Sequence, residues 1–600
     1  MSGIAAIAEV RDSAAQSWMR ALELTASIAR NRDRTMPTIV DEMAKRQGDA
    51  PALLSDGQCL TYDGLASRKN QYARWALGQQ IQKDEVVGLL MRNCPEYYAA
   101  WMGISAMGGV TALLNTNLSG TALLHCVQAA NAKHIIVAEE FAEATAEVVS
   151  QMGNKPELWI HGAKDTRCRR IDRDVEQRSG SALRQDERRS VGIEDRALCV
   201  FTSGTSGLPK AANLSHARVL QWSYWFAGML DVEKQDRMYN CLPMYHGIGG
   251  VLVPGAMIAG GGSVVVREKF SARQFWADVV GWKCTLFQYI GELCRYLLHG
   301  TSAREALGHQ LRMICGNGMN ADVWNEFQKK FNIPRVLEFY ASTEGGVSLF
   351  NVEEERGSIG RVPPYLRHRF SPELVRCNEE LCEPVRDNYG LCVRCGTNEV
   401  GEAIGKMSAD PSAIGARFEG YTDRKASEKK ILRNVFKPGD AWVRTGDLMR
   451  RDERGYFYFV DRIGDTFRWK GENVASSEVS GVIRAYPGIQ HAIAYGVRVP
   501  GTDGRAGMAT VVTDDGVDVN VLRGHLAAHL PNYALPVFLR VCKSISVNGT
   551  FKYSKAELIQ QGYDPAATAD VIYFNHPEWK KFIRVDQNLF QQLQDGRIRV

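Results

Sequence analysis

Apolar residues in the first quarter of the chain recur at two alternating spacings. Glu85-Val86-Val87-Gly88-Leu89-Leu90-Met91 and Lys133-His134-Ile135-Ile136-Val137-Ala138 are short continuous runs that predict buried strands, and 96–108 between them has helical spacing. The alternation over 38–144 predicts a parallel sheet covered by helices. A second alternating stretch runs over 198–346, and it predicts another helix-covered sheet. From 358 to 460 the pattern changes to short β runs punctuated by Gly and Pro, which predicts a β-barrel-like subdomain. The alternating run Tyr456-Phe457-Tyr458-Phe459-Val460 ends at Asp461-Arg462, and a fresh α+β pattern follows. The expectation is an α/β protein with a large N-terminal domain, 1–461, and a smaller α+β C-terminal domain, 462–600. The large domain would hold two helix-covered sheet subdomains plus the β-barrel-like one. Residues 564–600 read as an ordered tail.

Composition changes this picture little. Six hundred residues exceed what one core organises, and 45% apolar with 24% charged residues is ordinary for a soluble globular protein. A net charge of +5 does not mark a dedicated nucleic-acid binder. The arginine-dense stretch 167–189 also carries Asp172, Asp174, Glu176, Asp186 and Glu187. It reads as a solvated surface connection, with contact to acidic lipid headgroups as the alternative. Glu9, Arg11, Asp12, Arg20 and Glu23 interrupt the apolar residues of 4–28, so that segment predicts an amphipathic helix rather than a signal peptide. The segment 247–266 is apolar but holds seven glycines, and it reads as buried core rather than a membrane span. The expected location is cytoplasmic, with peripheral contact at the inner face of a membrane left open. The 14 cysteines are expected as reduced thiols. Cys377, Cys382, Cys392 and Cys395 could form a zinc site, but Leu391-Cys392-Val393-Arg394-Cys395 alternates like a strand, which sends its two cysteines to opposite faces.

The chemistry concentrates in a few strings. Phe201-Thr202-Ser203-Gly204-Thr205-Ser206-Gly207-Leu208-Pro209-Lys210 reads as a strand ending in a hydroxyl-lined loop. Glycines admit an anion close to the backbone N–H groups, hydroxyls donate, and a lysine adds charge, a combination suited to polyphosphate. The spacing is not that of the P-loop. The string resembles the phosphate loop of adenylate-forming enzymes, which implies nucleotide contacts from Thr202, Ser203, Gly204, Thr205, Ser206, Gly207 and Lys210. Phe339-Tyr340-Ala341-Ser342-Thr343-Glu344-Gly345 resembles the second core signature of that superfamily. The resemblance implies that Tyr340 stacks on adenine, Thr343 bonds the α-phosphate and Glu344 holds Mg²⁺, roles suited to an aromatic face, a hydroxyl and a hard carboxylate. It further implies an adenine wall from Gly316, Asn317 and Gly318, a ribose contact from Asp447 in Thr445-Gly446-Asp447, and a ribose or phosphate contact from Arg462. His246 in Tyr245-His246-Gly247 would line the carboxylate's approach. In Gly549-Thr550-Phe551-Lys552-Tyr553-Ser554-Lys555 the pattern favours Lys552 over Lys555 as the catalytic lysine bridging carboxylate and α-phosphate. Arg468-Trp469-Lys470-Gly471-Glu472-Asn473 is the hinge-proximal signature, whose Gly471 would border the pantetheine tunnel.

These motifs occur in the superfamily's order. Leu114-Asn115-Thr116-Asn117-Leu118, Gly316-Asn317-Gly318 and Gly549-Thr550-Phe551-Lys552 are similar to the fatty acid transport protein and very-long-chain acyl-CoA synthetase branch. The resemblance implies ATP, Mg²⁺, coenzyme A and a fatty acid as cofactors and substrates, with no nucleic acid. It implies a two-step ligase reaction through acyl-adenylate, with the C-terminal domain mobile about Gly464-Asp465. An acyl-AMP ligase serving a carrier protein and a membrane transport or scaffold protein remain the alternatives. Chain length, a sterol-like acid and the oligomeric state, with a homodimer among the options, stay open. The aromatic run 221–228 fits an acyl tunnel and ordinary helix packing equally well.

Overall fold

The computed structural model describes residues 13–162, 168–202, 209–319, 321–378, 383–407, 418–463, 466–502, 504–513, 516–544 and 555–600. Continuous Val, Ile and Leu runs make strands buried on both faces. Val86–Leu90 and Val110–Leu113 are fully buried and pair in parallel, as expected for a sheet covered on both sides. They lie in a six-stranded sheet, in the order Glu157–His161, Ala132–Ala138, Val86–Leu90, Val110–Leu113, Arg196–Thr202 and Lys210–Ser215.

The second sheet has eight strands, running Ser348–Asn351, Val336–Ala341, Met313–Asn317, Leu286–Ile290, Arg237–Asn240, Ser263–Val266, Pro51–Leu54 and Cys59–Thr61. The two alternating stretches therefore do not map one to one onto the two sheets. Pro51–Leu54 crosses to pair in parallel with Ser263–Val266, while Arg196–Thr202 crosses the other way to pair with Val110–Leu113. The exchange interlocks the two sheets.

The β-rich stretch forms a five-stranded antiparallel sheet from Pro372–Val375, Gly401–Lys406, Ala441–Arg451, Ile431–Arg433 and Phe457–Arg462. Residues 391–395 make isolated bridges rather than the expected strand, because Arg386 and Val375 each pair with a single residue there. Cys392 and Cys395 are buried in two different apolar clusters; Cys382 lies outside the described residues. Beyond 463 comes a hairpin, Thr466–Trp469 with Glu472–Ala475, then a five-stranded sheet from Ile489–Val497 to Lys581–Arg584 with its own apolar cluster. The tail ends in the helix Gln587–Gln594.

Two helices matter for the site. Ala14–Ala26 starts at a capping box between Ser13 and Gln16, and buries Trp18 and Ala21. It lies on His216–Leu230, which Ser215 caps. Their contact requires Gly228, since a Cβ there would stand 2.6 Å from the backbone of Ala21. Residues 247–266 are a buried π-helical turn, Gly247–Leu252, a helix, Val253–Gly260, and a strand, Ser263–Val266. Among the described residues no helix is long and apolar enough to cross a membrane.

Candidate functional site

A cleft of about 2430 Å³ runs between the sheets and is lined by both the large layers and the Thr466–Ala475 hairpin. The motifs carried by described residues open into it, several of them from strand ends and the turns that follow. Tyr340 is near the end of Val336–Ala341, and its hydroxyl donates to Asp447 Oδ2 at 2.5 Å. Asp447 projects from Ala441–Arg451 just after Gly446, and Arg462 stands opposite it in the strand register, although the Arg462 side chain lies outside the described residues. The pair joins the expected base platform to the expected ribose acceptor.

Gly316, Asn317 and Gly318 follow from strand Met313–Asn317. A buried carboxylate pins this turn: Glu338 Oε1 accepts from the N–H of Gly318 at 2.5 Å and of Met319 at 3.3 Å, and Oε2 accepts from the Tyr289 hydroxyl at 2.5 Å. Burial pushes the Glu338 carboxyl up to about 8, against the lowering pull of those three donors and of Arg468. Asn317 Oδ1 is buried without a hydrogen-bond partner among the described residues, and Asn317 lines the cleft.

Glu344 lies in the turn after Tyr340, lines the cleft with Thr343, and collects groups from distant elements. The Tyr421 hydroxyl donates to Glu344 Oε1 at 2.5 Å, Thr202 Oγ1 is 3.5 Å away, and Lys430 Nζ is 3.8 Å away. Arg218, buried in the helix behind, donates to the Glu344 carbonyl at 3.1 Å. Lys210 sits over the Tyr421 ring at 5.5 Å. Burial, then the like charges of Lys430 and Lys429, lower the Lys210 ammonium below its ordinary range. Thr202 closes strand Arg196–Thr202 and Lys210 opens Lys210–Ser215; Ser203, Gly204, Thr205, Ser206 and Gly207 between them lie outside the described residues, as does Lys552.

His246 immediately precedes the π-helical turn, and its Nε2 lies 3.1 Å from Glu472 Oε2 on the hairpin. Burial would raise the Glu472 carboxyl, but His246, with Arg468 beyond it, holds it below the usual carboxylate range. The hairpin turns through Lys470 at φ 50° and Gly471 at φ 82°, the left-handed pair that a two-residue connection requires. A Cβ on Gly471 would stand 2.3 Å from Ile290 Cδ1, so that methyl would have to move aside.

From His246 an aromatic wall leads away from the nucleotide motifs. Trp222 packs on Gly247, where a Cβ would be 3.2 Å from its ring. One turn further along the same helix, Trp225 meets Trp18 edge-on at 5.7 Å, and Trp18 in turn packs on Phe350 and Phe370. Trp222 and Trp225 line the cleft and also pack against the core. Sequence reasoning missed Tyr421, Lys430, Arg218, Glu338 and the pairing of His246 with Glu472. The one available signal was a carboxylate inside the apolar strand Val336–Ala341.

A helix-covered sheet pair with nucleotide-type motifs at its strand ends defines a class, and the comparisons agree with it. The chain belongs to the AMP-binding enzyme family, whose model matches residues 40–370; the AMP-binding enzyme C-terminal domain matches residues 478–552. Among individual relatives, it is 36% identical over 573 residues to long-chain fatty acid transport protein 1 of Mus musculus, covering 94% of this chain and 88% of that protein. It is 34% identical to long-chain fatty acid transport protein 2 of Rattus norvegicus, covering 94% and 92%. The fold matches that of o-succinylbenzoate CoA synthetase from Bacillus subtilis with a TM-score of 0.71 at 20% identity, over 87% of this chain and 98% of that one.

Proposed function

We propose that this protein is an AMP-forming fatty acyl-CoA synthetase acting on long or very long acyl chains. The observation that carries the reading is one cleft lined together by the Tyr340–Asp447 pair, Glu344, the His246–Glu472 pair and the aromatic wall of Trp222, Trp225 and Trp18. A nucleotide, a carboxylate and an alkyl chain fit that lining. The names of the two relatives support a long-chain fatty acid as the acid.

In the first half-reaction the carboxylate attacks the α-phosphorus of ATP and pyrophosphate leaves. Tyr340 stacks on adenine and Asp447 accepts from the ribose hydroxyls. Thr343 bonds the α-phosphate, and Lys552 offsets the charge that grows between carboxylate and phosphate. Holding both anions in one cleft supplies proximity. Glu344 with the Thr202 hydroxyl is a hard oxygen donor set that fits Mg²⁺ accompanying ATP. When bound, that ion neutralises phosphate charge.

In the second half-reaction the thiolate of CoA attacks the acyl carbonyl and AMP leaves. Gly471 borders the path of the pantetheine arm, and residues 462–600 act as a lid that turns between the two steps about Gly464-Asp465, which lie outside the described residues. Purified protein given ATP, CoA and acids of graded chain length tests the reading. Acid-dependent AMP and acyl-CoA in equal amounts are expected. No AMP with any acid would overturn it, and AMP formation without thioester would favour the acyl-AMP ligase alternative. The relatives' names favour a second reading, delivery of fatty acid at a membrane. Uptake by vesicles that persists in a Lys552→Ala variant would support that reading.

A further inference from the structure

Lys430 belongs to none of the motifs, yet it reaches the cleft beside Glu344. We propose that Lys430 is a second pyrophosphate-binding cation, facing Lys210 across the Glu344 carboxylate. The proposal rests on the reading above and names a further residue for the same site.

Lys430 sits where the helix Arg424–Lys429 gives way to strand Ile431–Arg433, so its backbone is held on both sides. Its ammonium donates to the carbonyl of Thr445 at 3.2 Å and, more weakly, to that of Arg444 at 3.4 Å. An ammonium has three donors. The two carbonyl contacts fix the head group, and among the described residues its remaining neighbour is Glu344 Oε1, at ion-pair rather than hydrogen-bond distance, 3.8 Å. Glu344 is already engaged at that oxygen by the Tyr421 hydroxyl. Lys210 lies over the Tyr421 ring at 5.5 Å, and the buried guanidinium of Arg218 donates to the Glu344 carbonyl.

Three cations, Lys430, Arg218 and Lys210, thus act on Glu344; Glu419, which also acts on Arg218, is engaged by Ser215 through its N–H and hydroxyl. Two lysines held close in a half-enclosed cleft repel each other unless an anion lies between them. The direction of that anion follows from the chain. Lys210 ends the phosphate-loop string, so its side of Glu344 is the polyphosphate side; Lys430 hangs from the Thr445 carbonyl, two residues before Asp447. A diphosphate extending from the ribose acceptor toward Lys210 passes between the two ammonium groups.

The test compares Lys430→Met, which keeps length and loses charge, with Lys430→Arg, which keeps charge. Lys429→Met, at the exposed neighbour, is the control. Calorimetry with magnesium pyrophosphate and with AMP reads binding without any acid present. Lys430→Met is expected to weaken pyrophosphate at least tenfold and leave AMP within twofold. Lys430→Arg should recover most of the loss, and Lys429→Met should match wild type. Acid-dependent ATP–pyrophosphate exchange should fall with the pyrophosphate affinity, while thioester formation from supplied acyl-adenylate stays within twofold. Unchanged pyrophosphate affinity in Lys430→Met overturns the proposal, and so does an equal loss for AMP, which marks a purely structural lysine. A wild-type protein that binds pyrophosphate but exchanges none with any fatty acid overturns the acyl-CoA synthetase reading and leaves Lys430 standing.

Discussion

The contact between His246 and Glu472 joins residues 226 positions apart and ties the hairpin to the wall of the cleft. If the docked hairpin serves thioester formation, breaking this contact should slow that step alone. The magnitude follows from the geometry. A hydrogen bond with one charged partner contributes about 1.5–3 kcal/mol when buried. Here the histidine side chain is 39% exposed and the glutamate 18%, so water screens part of it. About 1 kcal/mol remains, which corresponds to roughly fivefold in a rate or an equilibrium.

The assay is a double-mutant cycle of His246→Ala and Glu472→Gln, read separately in the two half-reactions. Acyl-adenylate formation is followed by pyrophosphate release without CoA, and thioester formation from supplied acyl-adenylate. A coupling of about 1 kcal/mol that favours thioester formation is expected, and none that favours adenylation. Strict additivity in thioester formation would refute the reasoning, as would equal coupling in both steps. The pH dependence has a definite sign. Glu472 is held below the usual carboxylate range, so its contribution is full above that range and is lost as pH falls through the lowered value.

Three further outcomes are expected. Lys552→Ala should abolish adenylate formation but largely spare thioester formation from supplied acyl-adenylate; equal losses in both steps would remove the role assigned to that lysine. Gly471→Val places a β-branched residue at φ 82° against Ile290, so thioester formation should fall at least tenfold while adenylation holds, and a wild-type rate would show that the hairpin does not dock here during that step. Glu338→Gln removes a carboxyl that burial pushes up to about 8. Stability contributed by the neutral form is present below the usual carboxylate range and is lost as pH rises through about 8, so melting temperature should drop less between pH 6 and 9 in the variant than in wild type. Parallel curves would place the titration elsewhere.

The parts of this site that were legible in the sequence are those carried by contiguous strings. Tyr340, Thr343 and Glu344 share one strand end, and Gly316 to Gly318 share another, so local spacing already groups them. Tyr421, Lys430 and Arg218 come from three separate elements and meet only because those elements fold onto Glu344. No periodicity marks such a residue, since Lys430 reads as one more cation after Lys429. Strand existence was likewise visible from apolar runs, but sheet membership was not. Beyond its hairpin neighbour Cys59–Thr61, the next strand after Pro51–Leu54 is Val86–Leu90, yet Pro51–Leu54 pairs instead with Ser263–Val266. That choice is made by packing over two hundred residues away, which a local pattern does not encode.

The His246–Glu472 pair also bears on the order of the two steps. In the proposed reaction His246 lines the approach of a fatty carboxylate, but in this arrangement its Nε2 faces the carboxylate of Glu472. Two carboxylates sharing one imidazole would stand about 4 Å apart and repel by roughly 4 kcal/mol at the effective dielectric of a protein surface. Hairpin docking and carboxylate binding therefore oppose each other. Adenylation removes the conflict, because the substrate's negative charge is consumed when the acyl–phosphate bond forms and the product presents a neutral carbonyl. If the docked hairpin serves the second step, the chemistry of the first lifts the electrostatic penalty on it.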